Sequence, residues 1–315
     1  MTNQQSTEIS NSNDCPKAQP NQLKELTLRE AVIGDGMVIK RALPNREKRM
    51  IGAWCFLDHA GPVKFNEGEG LDVGPHPHIG LQTFTWMIDG TVNHDDSLGS
   101  KQLIRPKQVN IMTAGRGISH TEVAPKTETG MHTAQLWIAL PDSHRHMEPK
   151  FEHHPDLPTV QQDNALVTVL VGDFLGKTSP VTVYTPLLGV DVEAVEDLDI
   201  KLPLRQDFEY GILALEGEAT INGKALTQDN MLVFETQNEV LHIQCKKGTR
   251  ILVLGGEPFE TEILLWWNFV ARTQAEMAEA RQQWIDRDPR FGEIPAYEGP
   301  GLIAPVLPDS MRASK

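Results

Sequence analysis

The chain has 315 residues, 39% hydrophobic and 23% charged, which is enough apolar material for two domains of ordinary size and excludes a disordered polyelectrolyte. A formal net charge of −14 argues against broad binding to a phosphate backbone, which needs clustered Lys and Arg. The three cysteines, Cys15, Cys55 and Cys245, are odd in number and widely spaced, so neither a disulfide framework nor a Cys-x-x-Cys zinc site is expected.

Residues 1–24 are rich in Asn, Gln, Ser and Thr and read as a mobile tail with no apolar signal-peptide core. No window approaches the ~18–20 apolar residues of a bilayer span. The expected location is cytoplasmic, with no membrane contact and no direct contact with nucleic acid. From about Leu26 the texture changes to short apolar runs separated by Gly, Pro, Asn and Asp. Examples are "MVIKRAL", "QTFTWMI", "QVNIMTA", "TAQLWIAL", "ALVTVLVG", "YGILALEG", "NMLVFET" and "RILVLGG". Many short strands rich in β-branched and aromatic residues predict an all-β sandwich or barrel. No glycine-rich phosphate loop opens a helix anywhere, which sets aside a nucleotide-binding α/β fold.

Within the first half, "GPHPHIGLQTF" at residues 74–84 places His76 and His78 at i and i+2. On a strand these share one face and can share one ion. Downstream, "MTAGRGISHTEVAP" places His120 and Glu122 at the same spacing. Two antiparallel strands with these pairs turned inward would assemble a three-His, one-Glu set with about two coordination positions open. Nitrogen and carboxylate donors with open positions suit Fe(II), Mn, Co, Ni or Cu, and the lack of a Cys ligand argues against a closed structural zinc site. His59 reads as a packed, hydrogen-bonded histidine. His94, Asp95 and Asp96 read as a polar strand edge, and the place of His132 stays open. His144, His146, His153 and His154 fall in a proline-interrupted inter-domain linker. Trp54, Phe56, Phe84 and Trp86 read as core, and Cys55 has no base to make it a nucleophile.

The second half repeats the pattern of the first. "FTWMIDGTV" at residues 84–92 resembles "GILALEGEA" at 211–219, each a strand, an acidic residue, a glycine turn and a second strand. With Gly90 and Gly217 as register, His76 and His78 fall opposite Pro203 and Arg205, and His242 is the lone histidine near the second motif. One metal per chain is therefore expected, in the first domain. A helix appears only late, near residues 273–288, with Thr273 as N-cap and Glu276 three residues on.

Taken together, "FLDHAGP", "GPHPHIGLQTFTWMIDG", "VNHDDSLGS" and "MTAGRGISHTE", with the later "WWNFVARTQAEM", resemble the pirin family, a bicupin group of the cupin superfamily. The resemblance runs from roughly residue 26 to 294. It implies two tandem jelly-roll β-barrels followed by a C-terminal helix. The expected division is a tail at 1–24, a metal-binding domain at 25–150, a linker and first strand at 151–180, and a ligand-free second domain at 181–315. By motif position the metal ligands are His76, His78, His120 and Glu122. The resemblance also implies one divalent transition metal, Fe(II) foremost, with Mn, Co, Ni, Cu or Zn as alternatives. Where the family usually carries Glu in "GLET" this chain has Gln82, a change expected to act on the surroundings of the site rather than on its ligands. Some members resemble quercetinases, which would make Glu122 the catalytic base for an aromatic, flavonol-like substrate and O2. Others serve as metal- or redox-dependent partners of transcription factors or metabolic enzymes, the non-enzymatic alternative.

Overall fold

The computed structural model describes residues 10–11, 23–34 and 36–308. Two β-barrels of matching design stand side by side. The first joins a seven-stranded sheet, in the order Lys150–His154, Val109–Thr113, Leu81–Asp89, Gly130–Ala139, Trp54–Lys64, Met37–Leu43, Arg29–Ile33, to a four-stranded one. The smaller sheet runs Asp72–His78, Ile118–Val123, Val92–Asp96, Lys101–Ile104. The second barrel repeats this plan. Its larger sheet runs Lys24–Thr27, Asn230–Phe234, Glu209–Glu216, Arg250–Gly256, Leu187–Ala194, Ala165–Val171, Thr159–Gln162, and its smaller one Leu198–Pro203, Val240–Cys245, Ala219–Ile221, Lys224–Leu226. The internal repeat read from the glycine turns is thus a repeat of whole barrels.

Strand Leu81–Asp89 is buried on both faces along nearly its whole length, which explains why it shows no clean alternation. Phe84 and Trp86, with Trp54, Leu136 and Ile138, join Leu170, Val171, Leu213, Met231 and Leu254 in one apolar core between the larger sheets of the two barrels. Trp86 Nε1 donates to Asp191 Oδ2 at 2.9 Å across this interface. Of the four aromatics expected in the core, Trp54, Phe84 and Trp86 lie here, and Phe56 is buried in a separate cluster with Trp137. Strand Leu198–Pro203, by contrast, alternates buried and exposed, as expected of a sheet with one wet face.

The barrels exchange strands. Lys24–Thr27 precedes the first barrel but pairs with Asn230–Phe234 of the second, while Lys150–His154 pairs with Val109–Thr113 of the first. A division at residues 25 and 150 therefore cuts through both sheets. The reason is the buried side chain of Leu26, which enters the core between the barrels. The segment after the second barrel also returns to the first. Ile263, Leu265 and Val270 pack with Cys55, Phe56 and Trp137, and Ile79 bridges to Phe269. The chain beyond Gly256 thus clasps the first barrel. Of the tail at residues 1–24, Ser10 and Asn11 pair antiparallel with Leu265 and Leu264, and almost all the rest lies outside the described residues.

The helix spans Gln274–Ile285. Thr273 caps it, its Oγ1 accepting from Glu276 N–H at 3.2 Å. The Glu276 carboxylate reaches back to Arg272 N–H at 2.8 Å, one residue before the cap. Met277 and Ala280 form the buried stripe, and Trp284 Nε1 donates to Leu302 O at 2.8 Å. No helix among the described residues is long and apolar enough to cross a membrane.

Candidate metal centre

Three adjacent strands of the smaller sheet build the site. Ile118–Val123 lies between Asp72–His78 and Val92–Asp96, and His120 stands opposite His76 on one side and Asp96 on the other. Period-two alternation puts His76, His78 and His120 on one inner face, where their exposures fall to 4%, 1% and 1%. One ligand atom from each lies within 4.8 Å of those of the other two. Among the described residues no other group of three or more His, Cys, Asp or Glu side chains meets that geometry.

Two backbone carbonyls orient the imidazoles. His76 Nδ1 donates to Gly74 O at 2.9 Å, and His78 Nδ1 to Asn268 O at 3.0 Å. A carbonyl only accepts, so both rings carry their proton on Nδ1 and present Nε2 as a lone pair. Burial drives all three histidines toward the neutral form. His76 falls to about 4, and His78 and His120 fall well below the ordinary value, desolvation being the largest cause in each case. Neutral imidazoles whose far nitrogens are held by the protein are what a transition metal requires. The residues present fit one such ion.

Glu122, the fourth expected ligand, stands opposite His94 and is not one of the three groups gathered within 4.8 Å. A bulge interrupts the pairing with Asp72–His78 between His120 and Glu122, so that Glu122 faces Val73 where a regular ladder would give Gly74. Its side chain keeps some exposed surface, but its carboxyl has no hydrogen-bond or ionic partner among the described residues. Desolvation raises its pKa to about 7.

His94 and Asp96, read from sequence as a polar strand edge, lie inside the barrel. His94 Nδ1 is 3.3 Å from His120 Nδ1, and His94 Nε2 is 3.1 Å from Asp96 Oδ2. The His94 ring stacks on Phe151 with centroids 4.3 Å apart. The signal was available, since His94 and Asp96 repeat the i, i+2 spacing of the other two pairs. Trp137 meets His78 edge-on at 5.2 Å, and Phe56 stacks on Trp137 at 4.1 Å, giving the site an aromatic wall. The buried bidentate pair Arg41–Asp58, at 2.6 and 2.7 Å, caps Phe56.

The remaining candidates lie elsewhere. His59 and His132 are buried and bonded to each other through Nε2 at 2.7 Å, and His132 Nδ1 is 3.1 Å from Glu216 of the second barrel. His132 is thus part of the inter-domain contact. His153 bonds Asn110 at 2.7 Å. Cys55 is buried and desolvation pushes its thiol up to about 12, so it is no nucleophile. Gln82 shares a face with Phe84 and Trp86, toward the second barrel. Its amide donates to Thr113 Oγ1 and Thr182 O, both at 3.0 Å. It acts at the inter-domain interface, not around the metal ligands.

In the second barrel the ladder pairs Leu202 with Leu241 and Ile200 with Ile243, all four buried. These take the inward places of His78, Ile118, His76 and His120. The glycine-turn register gave Pro203 and Arg205 instead. It fails by three residues because five residues join the second barrel's strands, 204–208, where two join the first's, 79–80. His242 turns outward to Asp199 at 2.6 Å. An apolar interior leaves no ligand set there.

Residues 36–138 match the family model described as Pirin, and residues 189–292 that described as Pirin C-terminal cupin domain. A Pseudomonas aeruginosa protein named "Putative quercetin 2,3-dioxygenase PA1205" is 48% identical over 301 residues, covering 96% of each chain. A "Pirin-like protein" of Caulobacter vibrioides is 35% identical over 78% of this chain and 87% of its own. A crystal structure named quercetin 2,3-dioxygenase from Acinetobacter baumannii is 67% identical, covers 93% of this chain and 98% of its own, and superposes with a TM-score of 0.92. The nickel(II) complex of the Escherichia coli pirin YhhW shares the fold at 21% identity and a TM-score of 0.59, over 75% of this chain and 100% of its own.

Proposed function

The chain belongs to the pirin family of two-domain cupins, and from that premise we propose that it is a metal-dependent dioxygenase-type enzyme acting on an aromatic, flavonol-like substrate with O2. The observation that carries the reading is the convergence of His76, His78 and His120 as three buried imidazoles on one inner face, the first two oriented by backbone carbonyls. The names borne by the Pseudomonas and Acinetobacter relatives point to the same chemistry.

In this reading His76, His78 and His120 hold the ion, and Fe(II) is the first metal to try. Once bound, a redox-capable metal would acidify a coordinated phenol and pass electron density toward O2. Glu122 supplies the base. Its carboxyl, with a pKa near 7 and no competing partner, suits it to take the flavonol 3-hydroxyl proton at near-neutral pH. Trp137, edge-on to His78 and backed by Phe56, gives the site an apolar flank, and the burial of the histidines keeps bulk water from them.

The test is oxygen uptake with quercetin by Fe(II)-loaded protein. Uptake lost in Glu122→Gln while metal is retained supports the enzyme. No uptake with any flavonol, together with metal-dependent capture of a defined protein, would replace it with the regulatory alternative.

A further inference from the structure

An unbroken chain of polar contacts runs through the site. Asp96 Oδ2 meets His94 Nε2 at 3.1 Å, His94 Nδ1 meets His120 Nδ1 at 3.3 Å, His120 Nε2 meets His78 Nε2 at 3.1 Å, and His78 Nδ1 meets Asn268 O at 3.0 Å. There are four junctions. A cation can reach His120 Nε2 only in the form in which all three imidazoles are neutral, because a doubly protonated His94 would donate from Nδ1 and force the His120 proton onto Nε2; in that form they carry three protons, one each. Both ends of the chain are acceptors only. Asn268 contributes a backbone carbonyl. Asp96 contributes a carboxylate whose other oxygen already accepts Leu98 N–H at 2.9 Å and Ser100 N–H at 3.0 Å. The two end junctions therefore take two protons, and one proton is left for the two inner junctions. One inner junction must face two lone pairs across about 3 Å, which is unfavourable unless a cation fills it.

The third histidine shows which junction that is. His76, with its Nδ1 proton given to Gly74 O, offers a further Nε2 lone pair beside His78 and His120 and none beside His94. We propose that Asp96 and His94 are a positioning pair of the metal centre: they hold His120 in its Nδ1–H form, so that the proton-free junction falls between His120 and His78, where a divalent cation fits. This rests on the reading of the histidine cluster as a metal site. It adds two residues that never touch the ion but decide whether His120 can ligate it.

Asp96→Asn separates this role from a structural one. The amide oxygen can keep the Leu98 and Ser100 N–H bonds while its NH2 faces His94 Nε2. His94 must then move its proton to Nδ1 and donate to His120, which in turn donates from Nε2 to His78. All four junctions are filled without a metal, and His120 no longer offers a lone pair. Zinc binding by Asp96→Asn, followed by competition with a chromophoric chelator, should weaken by about 10- to 100-fold. His94→Gln can accept from His120 with its oxygen and donate to Asp96 with its NH2, so it should bind zinc within a few-fold of the parent. His94→Leu should resemble Asp96→Asn.

The readout that packing alone would not move is the proton itself. Long-range 1H–15N spectra of the metal-free proteins should place the His94 proton on Nε2 in the parent and on Nδ1 in Asp96→Asn. Unchanged zinc affinity and an unmoved proton in Asp96→Asn would overturn the role of this pair, as would His94→Gln binding as weakly as His94→Leu. No zinc binding by the parent would overturn the metal reading itself, a separate result.

Discussion

Glu122→Gln in the metal-free protein tests the electrostatics of the site without any assumption about substrate. In the folded chain the Glu122 pKa is raised from an ordinary 4.5 to about 7, by desolvation alone. A raised carboxyl pKa means that the fold favours the protonated form. The folded chain bears no penalty below pH 4.5, and the penalty grows as pH rises from 4.5 through about 7. A rise of this size corresponds to an upper figure of about 3 kcal/mol, since each tenfold change in acidity is ~1.4 kcal/mol. Glutamine has the same shape and no charge, so it escapes the penalty. The neighbouring histidines titrate in both proteins and cancel in the difference. Denaturant unfolding of chelator-treated protein, monitored through the first barrel, should therefore give Glu122→Gln an advantage of up to about 3 kcal/mol at pH 8 that disappears at pH 4.5. A difference constant across that range would refute the assignment of a desolvated, unpartnered carboxyl.

Further outcomes rest on the same geometry. Asp58→Ala strands the buried Arg41 guanidinium and should cost about 3–5 kcal/mol in chemical unfolding, whereas replacing both partners with apolar residues of similar volume should cost far less. Leu26→Ala should cost about 2–5 kcal/mol and loosen the second barrel, since this strand belongs to the second barrel's sheet; hydrogen exchange at Asn230–Phe234 would show it. Burial holds the His76 pKa near 4, below the ordinary 6.5. Metal retention, followed by dialysis against buffers of falling pH, should thus persist well below pH 6.5 and fail near pH 4. A midpoint at the ordinary histidine value would contradict the burial argument.

The parts of the fold that were legible were those that depend on local pattern. Period-two spacing paired His76 with His78 and placed His120 on a facing strand, and the Thr273 cap located the helix. What escaped depends on long-range registration. The bulge before Glu122 changes its row relative to His76, and nothing in "HTE" announces it. The extra three residues in the second barrel's connection displaced the repeat from Ile200 and Leu202 to Pro203 and Arg205. Leu26 and the strand around it cross to the other barrel because an apolar pocket there accepts the side chain, a fact held by residues such as Met231 and Val233, far along the chain. His94 and Asp96 escape a sequence reading for the opposite reason. Their spacing carried the signal, but adjacency to Asp95 made the run look like a solvated edge.

The central claim is that His76, His78 and His120 hold one divalent ion. The measurement that reaches it most directly is metal content per chain after anaerobic loading with Fe(II) and desalting, for the parent and for His78→Ala. One ion per chain is expected in the parent and none in the variant. An empty parent, or a variant that keeps its ion, would contradict it.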